Sequence, residues 1–211
     1  MAKSLKKRSI VARPRNAAIT RAAILASARR AFVRAGYDGV GVREIAAGAG
    51  VTAMLVNRYF GSKEKLFAEV VAETMMTPAI LTQKVTRSPT LGEDLATAII
   101  DQTRVDANPL DGFVIMLLSA SNKRAAEIWR EQVEAHHQKV MTEALSGDLA
   151  AERAAMVLAL IAGFQFMRQM IGLHALVEAD PMTLRKILAP LFQQLVAGEC
   201  ANGESASQRK Q

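Results

Sequence analysis

The chain has 211 residues, half of them hydrophobic but only 5% aromatic, one cysteine and a formal net charge of +7. That length and apolar content suffice for a mid-sized domain with a smaller one beside it. The lone Cys200 excludes an intrachain disulfide, and its place past the last predicted helix reads as a tolerated free thiol in a reducing cytosol. Charge is unevenly spread: through Leu66 there are 14 Lys and Arg against 3 Asp and Glu, and the rest of the chain is net acidic.

In chain order, residues 1–18 read as a flexible basic arm carrying Lys3, Lys6, Lys7, Arg8, Arg13 and Arg15, with no helical periodicity. Such an arm is suited to phosphates or a minor groove, the alternative being a solubilising tail. Its short apolar run, Ser9 to Ala12, is too short for a signal peptide, so no export is expected and the protein is expected in the cytoplasm. A first helix follows, with Ile24, Leu25, Ala28, Phe32 and Ala35 at helical spacing.

The most informative stretch is Val42 to Phe60. Val42, Ile45, Ala46 and Ala49 make one face of a short helix, and Gly50 supplies a residue able to adopt positive φ at its end. Thr52 offers a hydroxyl to cap the next helix. Val56, Tyr59 and Phe60 point inward on that second helix, leaving Ala53, Leu55, Asn57 and Arg58 to face a partner. Two short helices around a glycine turn, with the second presenting such a face, read as a DNA-reading helix-turn-helix.

Ser62 and Glu64 open a further helix to about Met76, before Pro78. A weak segment, Thr82 to Pro89, precedes helical patterns over about Leu91–Asp106, Pro109–Ser121, Asn122–Ser146, Asp148–Leu176 and Pro181–Val196. Residues 199–211 are polar and read as a disordered tail. No alternating β-branched run is present, so the fold class is all-α. The longest uncharged stretch, Ala154 to Met167, is about fourteen residues, short of the roughly 20 that a bilayer requires, so no membrane span is expected. The two last long helices are apolar on more than one face and need two partners each. Gly163 and Gly172 sit among strong helix formers, and Gly163 predicts a close helix crossing, within the subunit or with a partner.

No catalytic constellation, metal site or cofactor-binding motif is recognised. Glu134 and His137, one helical turn apart, match no metalloprotease or zinc pattern and read as a solvated polar face. A helical scaffold or ligand-binding protein with nonspecific nucleic-acid affinity is the alternative to a sequence-specific regulator.

The order of the first helix, Gly36-Tyr37-Asp38-Gly39, the helix-turn-helix and the run Tyr59-Phe60-Gly61-Ser62-Lys63-Glu64-Lys65-Leu66-Phe67 resembles the TetR family of bacterial transcriptional regulators, over roughly Thr20 to Val71. Leu55 and Asn57 stand where family members usually carry a hydroxyl and an aromatic residue, and Gly41 where a Ser or Thr often caps the helix. The resemblance implies a three-helix DNA-binding domain over residues 19–66. It further implies a helical effector-binding and dimerisation domain over 67–198, and a homodimer on a palindromic double-stranded operator. Thr52, Ala53, Leu55, Asn57, Arg58, Tyr59 and Lys63 are the expected DNA-contacting residues, Tyr59 and Lys63 through phosphate. Met116, Trp129, Phe164, Met167 and His174, the last with Gln165 and Arg168 nearby on its helix, are the expected contacts of an unidentified small-molecule effector, the alternative being plain core and, for His174, a core or interface histidine; effector binding is expected to release a repressor from DNA.

Overall fold

The computed structural model describes residues 12–76, 79–104, 106–107 and 110–198, and every described element is helical. The chain runs through α1 (Ala12–Ala35), α2 (Val42–Gly48), α3 (Ala53–Phe60), α4 (Lys63–Met75), α5 (Gln83–Thr86), α6 (Leu91–Gln102) and α7 (Asp111–Ser119). It continues through α8 (Lys123–Val133), a π-helical segment (Glu134–Gln138), α9 (Lys139–Ala144), α10 (Ala150–Gln165), a second π-helical segment (Phe166–Ile171), α11 (His174–Val177) and α12 (Pro181–Ala197). Helix α1 starts at Ala12, upstream of the arm's expected end at residue 18, while Lys3, Lys6, Lys7, Arg8 and the tail from residue 199 lie outside the described residues.

Two compact units form. The first joins the described residues up to Thr74 with Val114–Trp129, and the second joins Met75–Phe113 with the residues from Arg130 on. The expected boundary at residue 66 therefore falls inside α4, because Leu66, Phe67, Val70 and Val71 are fully buried with the first unit's helices. Phe67 meets Phe32 edge-on at 5.0 Å and Tyr37 at 4.9 Å between ring centroids. Such pairs add about 0.5–1.5 kcal/mol each beyond their buried area. Across the same unit, the Tyr37 amide donates to Ser119 Oγ at 3.0 Å, which ties α7 to the end of α1.

In the second unit Leu95, Ile99, Met141, Val157 and Phe192 fill a core shared by α6, α9, α10 and α12. The closest crossing is at Gly92, not at Gly163. A Cβ on Gly92 would lie 2.9 Å from the backbone nitrogen and Cα of Gln193 on α12, whereas one on Gly163 would meet nothing within 4 Å. Of the two crossings expected at Gly163, the one within the subunit is therefore absent, and the one with a partner is the alternative left. Gly172 ends the α10 helix in the left-handed region, at φ 69°, so it is a stop signal and not a packing device.

Helix α10 and its π-helical continuation run unbroken from Ala150 to Ile171, 22 residues, long and apolar enough by composition to cross a membrane. This exceeds the fourteen-residue stretch counted between charges, because Arg153 and Arg168 are accommodated inside the helix with their side chains buried. Arg153 donates to the carbonyls of Ser146, Asp148, Leu195 and Val196, capping the end of α12 where unpaired carbonyls and the helix dipole favour a cation. An arginine spent on the carbonyls of a neighbouring helix fits a bundle core rather than lipid.

Candidate nucleic-acid interface

The turn between α2 and α3 is built as its residues demand. Gly50 has φ 66°, and the Val51 amide donates back to the Ala46 carbonyl at 2.9 Å, closing α2. Thr52 then caps α3, its Oγ1 accepting from the Leu55 amide at 3.3 Å. Gly41 precedes α2 in an extended conformation with no side-chain cap, and Glu44 in the first turn complements the helix dipole instead. Ile45 and Ala46 on α2 and Val56 and Phe60 on α3 are buried, which sets the rotation of α3 about its axis.

That rotation sorts the expected base-reading residues. Asn57 and Arg58 are exposed, as predicted, while Ala53, Leu55 and Tyr59 are half-buried. Met54 is the side chain that sequence reasoning missed: it is 80% exposed. At 100° per residue, 54 and 58 lie half a turn from Val56, so Met54, Asn57 and Arg58 form the outward row at i, i+3 and i+4. Leu55 flanks the core instead. The signal was present in the helical phase of Val56 and Phe60.

Lys63 opens α4, where Ser62 Oγ accepts from the Lys65 amide at 3.2 Å. The Lys63 ammonium sits 4.3 Å from the centroid of the Tyr37 ring, half-buried, and burial lowers its pKa against a smaller upward pull from Asp38. Its charge is therefore held at a fixed place beside the turn. The acids of this unit are largely spent on other cations, Glu44 on Arg34, Glu69 on Arg21 and Glu64 on Arg124. Arg43, Arg58 and Lys65 are exposed and have no acidic partner among the described residues. The face around α3 therefore has the positive charge that a phosphate backbone recruits.

The expected effector contacts do not converge in the same way. Met116 is half-buried and Trp129 buried in the first unit, the Trp129 indole N–H without a partner. Phe164 is buried in the second unit, but Met167 is 41% exposed there. The His174 side chain is 90% exposed, 3.8 Å from Glu178 on the short α11. Gly172 ends the helix before His174, so the histidine stands exposed on α11 and not in the helix that carries Phe164, and Met167 lies at the exposed side of the π-helical segment. His137, expected on a solvated face, is instead half-buried in the first π-helical segment, with Nε2 lacking a partner, and burial lowers its pKa. No group of three metal-ligating side chains occurs among the described residues.

Comparison with known proteins identifies the arrangement. Residues 24–70 match the family model of bacterial regulatory proteins of the tetR family, and residues 90–196 match the tetracyclin repressor-like C-terminal domain. No curated protein sequence matches closely enough to serve as a relative. Among solved structures, a TetR-family regulator from Streptomyces coelicolor shares 24% identity over 91% of this chain and 99% of its own, with a TM-score of 0.56. A TetR-family transcriptional regulator from Rhodococcus covers 85% of this chain and 100% of its own at 16% identity and TM-score 0.64. The regulator FadR from Bacillus subtilis, solved with stearoyl-CoA, covers 84% of this chain and 98% of its own at 19% identity and TM-score 0.62. With a helix-turn-helix shaped by Gly50 and Thr52 and both halves of the chain matched by the family's models, this chain belongs to the TetR family of bacterial transcriptional regulators.

Proposed function

We propose that the protein is a cytoplasmic, non-enzymatic homodimeric repressor that reads a palindromic operator and leaves it when a small molecule binds the second unit. The observation that carries the DNA-reading part is the outward row Met54, Asn57 and Arg58 on a capped, rigidly seated α3. Asn57 is the reader of adenine and Arg58 of guanine, and Met54, in place of Leu55, is the apolar contact for thymine methyls. Selection of bound sequences from random DNA tests this reading, since nonspecific binding, the competing scaffold reading, would enrich no motif. Asn57→Ala is expected to cost about 1–3 kcal/mol on the selected site while leaving nonspecific affinity unchanged. An unchanged specificity ratio would remove the assignment.

Dimerisation is supported by an apolar face that the lone chain leaves open. Met156, Met167, Met170, Ile187 and Leu191 are exposed on α10, its π-helical continuation and α12, and Gly163 lies among them with open space above it. Helices with a second apolar stripe bury it against another helix. Effector release is supported by likeness alone: one structural neighbour was solved with stearoyl-CoA and another with ethidium. A ligand that binds one conformer more tightly shifts the population toward it, which is all that release from DNA requires.

The arm is assigned to phosphate contacts from its charge. Deleting residues 1–11 is expected to flatten the dependence of log affinity on log salt by about 0.9 per lost contact. An equal slope for the shortened chain would make the arm a solubilising tail.

A further inference from the structure

Two arginines are buried in the second unit, and they are satisfied very differently. Arg153, 4% exposed, spends its guanidinium on four carbonyls. Arg168, 6% exposed, uses only Nη1, which donates to the Ile100 carbonyl at 3.1 Å and Thr103 Oγ1 at 3.2 Å near the end of α6. Its Nε is buried without a partner, and no acidic side chain among the described residues pairs with it. Burial alone lowers its pKa, with no neighbouring charge acting in either direction. The end of a helix offers roughly half an elementary charge, so α6 offsets only part of the cation. A buried charge left uncompensated is strongly unfavourable.

The surroundings of Arg168 specify what would complete it. Gln165, one turn earlier on the same face, is 3% exposed with its amide nitrogen unpartnered. Gln169 donates to the Ala107 carbonyl at 3.2 Å, holding the next position in place. The Phe164 ring stands 5.8 Å from the guanidinium carbon. The π-helical segment begins at Phe166, directly between these residues, and such widened turns in otherwise regular helices are frequent at functional sites. With Nη1 bound to α6, the guanidinium edge formed by Nε and Nη2 makes no bond to any described residue. That edge is the planar fork that takes a carboxylate by two parallel hydrogen bonds.

We propose that Arg168 and Gln165 receive the carboxylate of an apolar organic acid, with the guanidinium fork and the Gln165 amide as donors and Phe164 against the acid's hydrocarbon body. The proposal rests on the effector reading above and names the chemical class of that effector.

The test uses the full-length protein and matched probes: octanoate, decanoate, benzoate and 1-naphthoate, each beside its primary amide. These are followed by thermal shift and by titration calorimetry. At least one acid is expected to raise the melting temperature where its amide does not. Arg168→Met should lower that acid's affinity tenfold or more, and Gln165→Leu should lower it severalfold. If Arg168→Met does not fold, Arg168→Lys replaces it, keeping a charge but losing the fork. Two results overturn the proposal: no acid outperforming its amide, or an acid bound equally well by the position 168 variant. Binding to the selected operator is measured in parallel. A protein that reads its operator but ignores every acid overturns this inference alone, whereas one without DNA sequence preference overturns the regulator reading.

Discussion

Replacing Gly163 by leucine is expected to convert the proposed dimer to a monomer and to weaken operator binding by roughly 10²–10⁴-fold, the advantage that two linked binding sites hold over one. Within the lone chain the substitution meets no obstacle, since a Cβ at Gly163 has nothing within 4 Å. Leucine is also a better helix former than glycine by up to about 1 kcal/mol, so the monomer's melting temperature should hold or rise. In the proposed dimer the destabilising effect then comes from outside the chain, where a leucine side chain would hold apart helices paired over the exposed Met156, Met167 and Leu191 face. Gly163→Ala, with one carbon in the same place, should retain a weakened dimer. Sedimentation at micromolar concentration decides the matter. A leucine variant that still sediments as a dimer places the interface elsewhere, and a wild-type protein that sediments as a monomer removes the dimer altogether.

The opposite behaviour is expected at Gly92. Gly92→Val should destabilise the second unit by about 3 kcal/mol, the upper part of the usual range for overpacking a tight core. The reason is geometric: the added carbon lies 2.9 Å from backbone atoms of Gln193, and backbone, unlike the end of a side chain, moves only with its helix. Helices α6 and α12 must separate, and the contacts of Leu95, Ile99, Leu188 and Phe192 loosen with them. For a chain of this size that corresponds to a fall in melting temperature of roughly 6–12 °C. Gly92→Ala should cost less, because its better helix propensity offsets part of the strain. Circular dichroism melting checks both. An unchanged transition for the valine variant would mean that α6 and α12 do not cross as closely as the geometry shows.

These two glycines mark the division between local and tertiary information. Both stand inside helical patterns, and in the sequence Gly163 is the more conspicuous because its neighbours are long apolar helix formers. What distinguishes them is the distance to another helix, which no local pattern encodes. The helix-turn-helix is the contrary case. Gly50 at positive φ, the Thr52 cap and the buried phase of Ile45, Ala46, Val56 and Phe60 are interactions within a few residues of each other, so the chain specified them without reference to the rest of the fold. The exposed row was also legible there, since the phase that buries Val56 puts Met54 and Arg58 on the opposite side. Leu55, one position nearer to the buried Val56, falls beside the core by the same phase.

The second unit was legible as a set of apolar helices but not as an arrangement of polar groups. An all-α fold, the helix start at Pro181 and the start of α6 after the weak Thr82 to Pro89 segment follow from composition, capping residues and proline, all local. His174 separates from Gln165 because Gly172 turns the chain, and Met167 is exposed within the π-helical segment that begins at Phe166. The partners of Arg153 and Arg168 lie 42 and 68 residues away, on α12 and α6. Whether a charge inside an apolar helix is capped by carbonyls or left with an open donor edge depends on which helix end packs against it. That choice is made by the packing of α6, α10 and α12 together, and only the tertiary structure decides it.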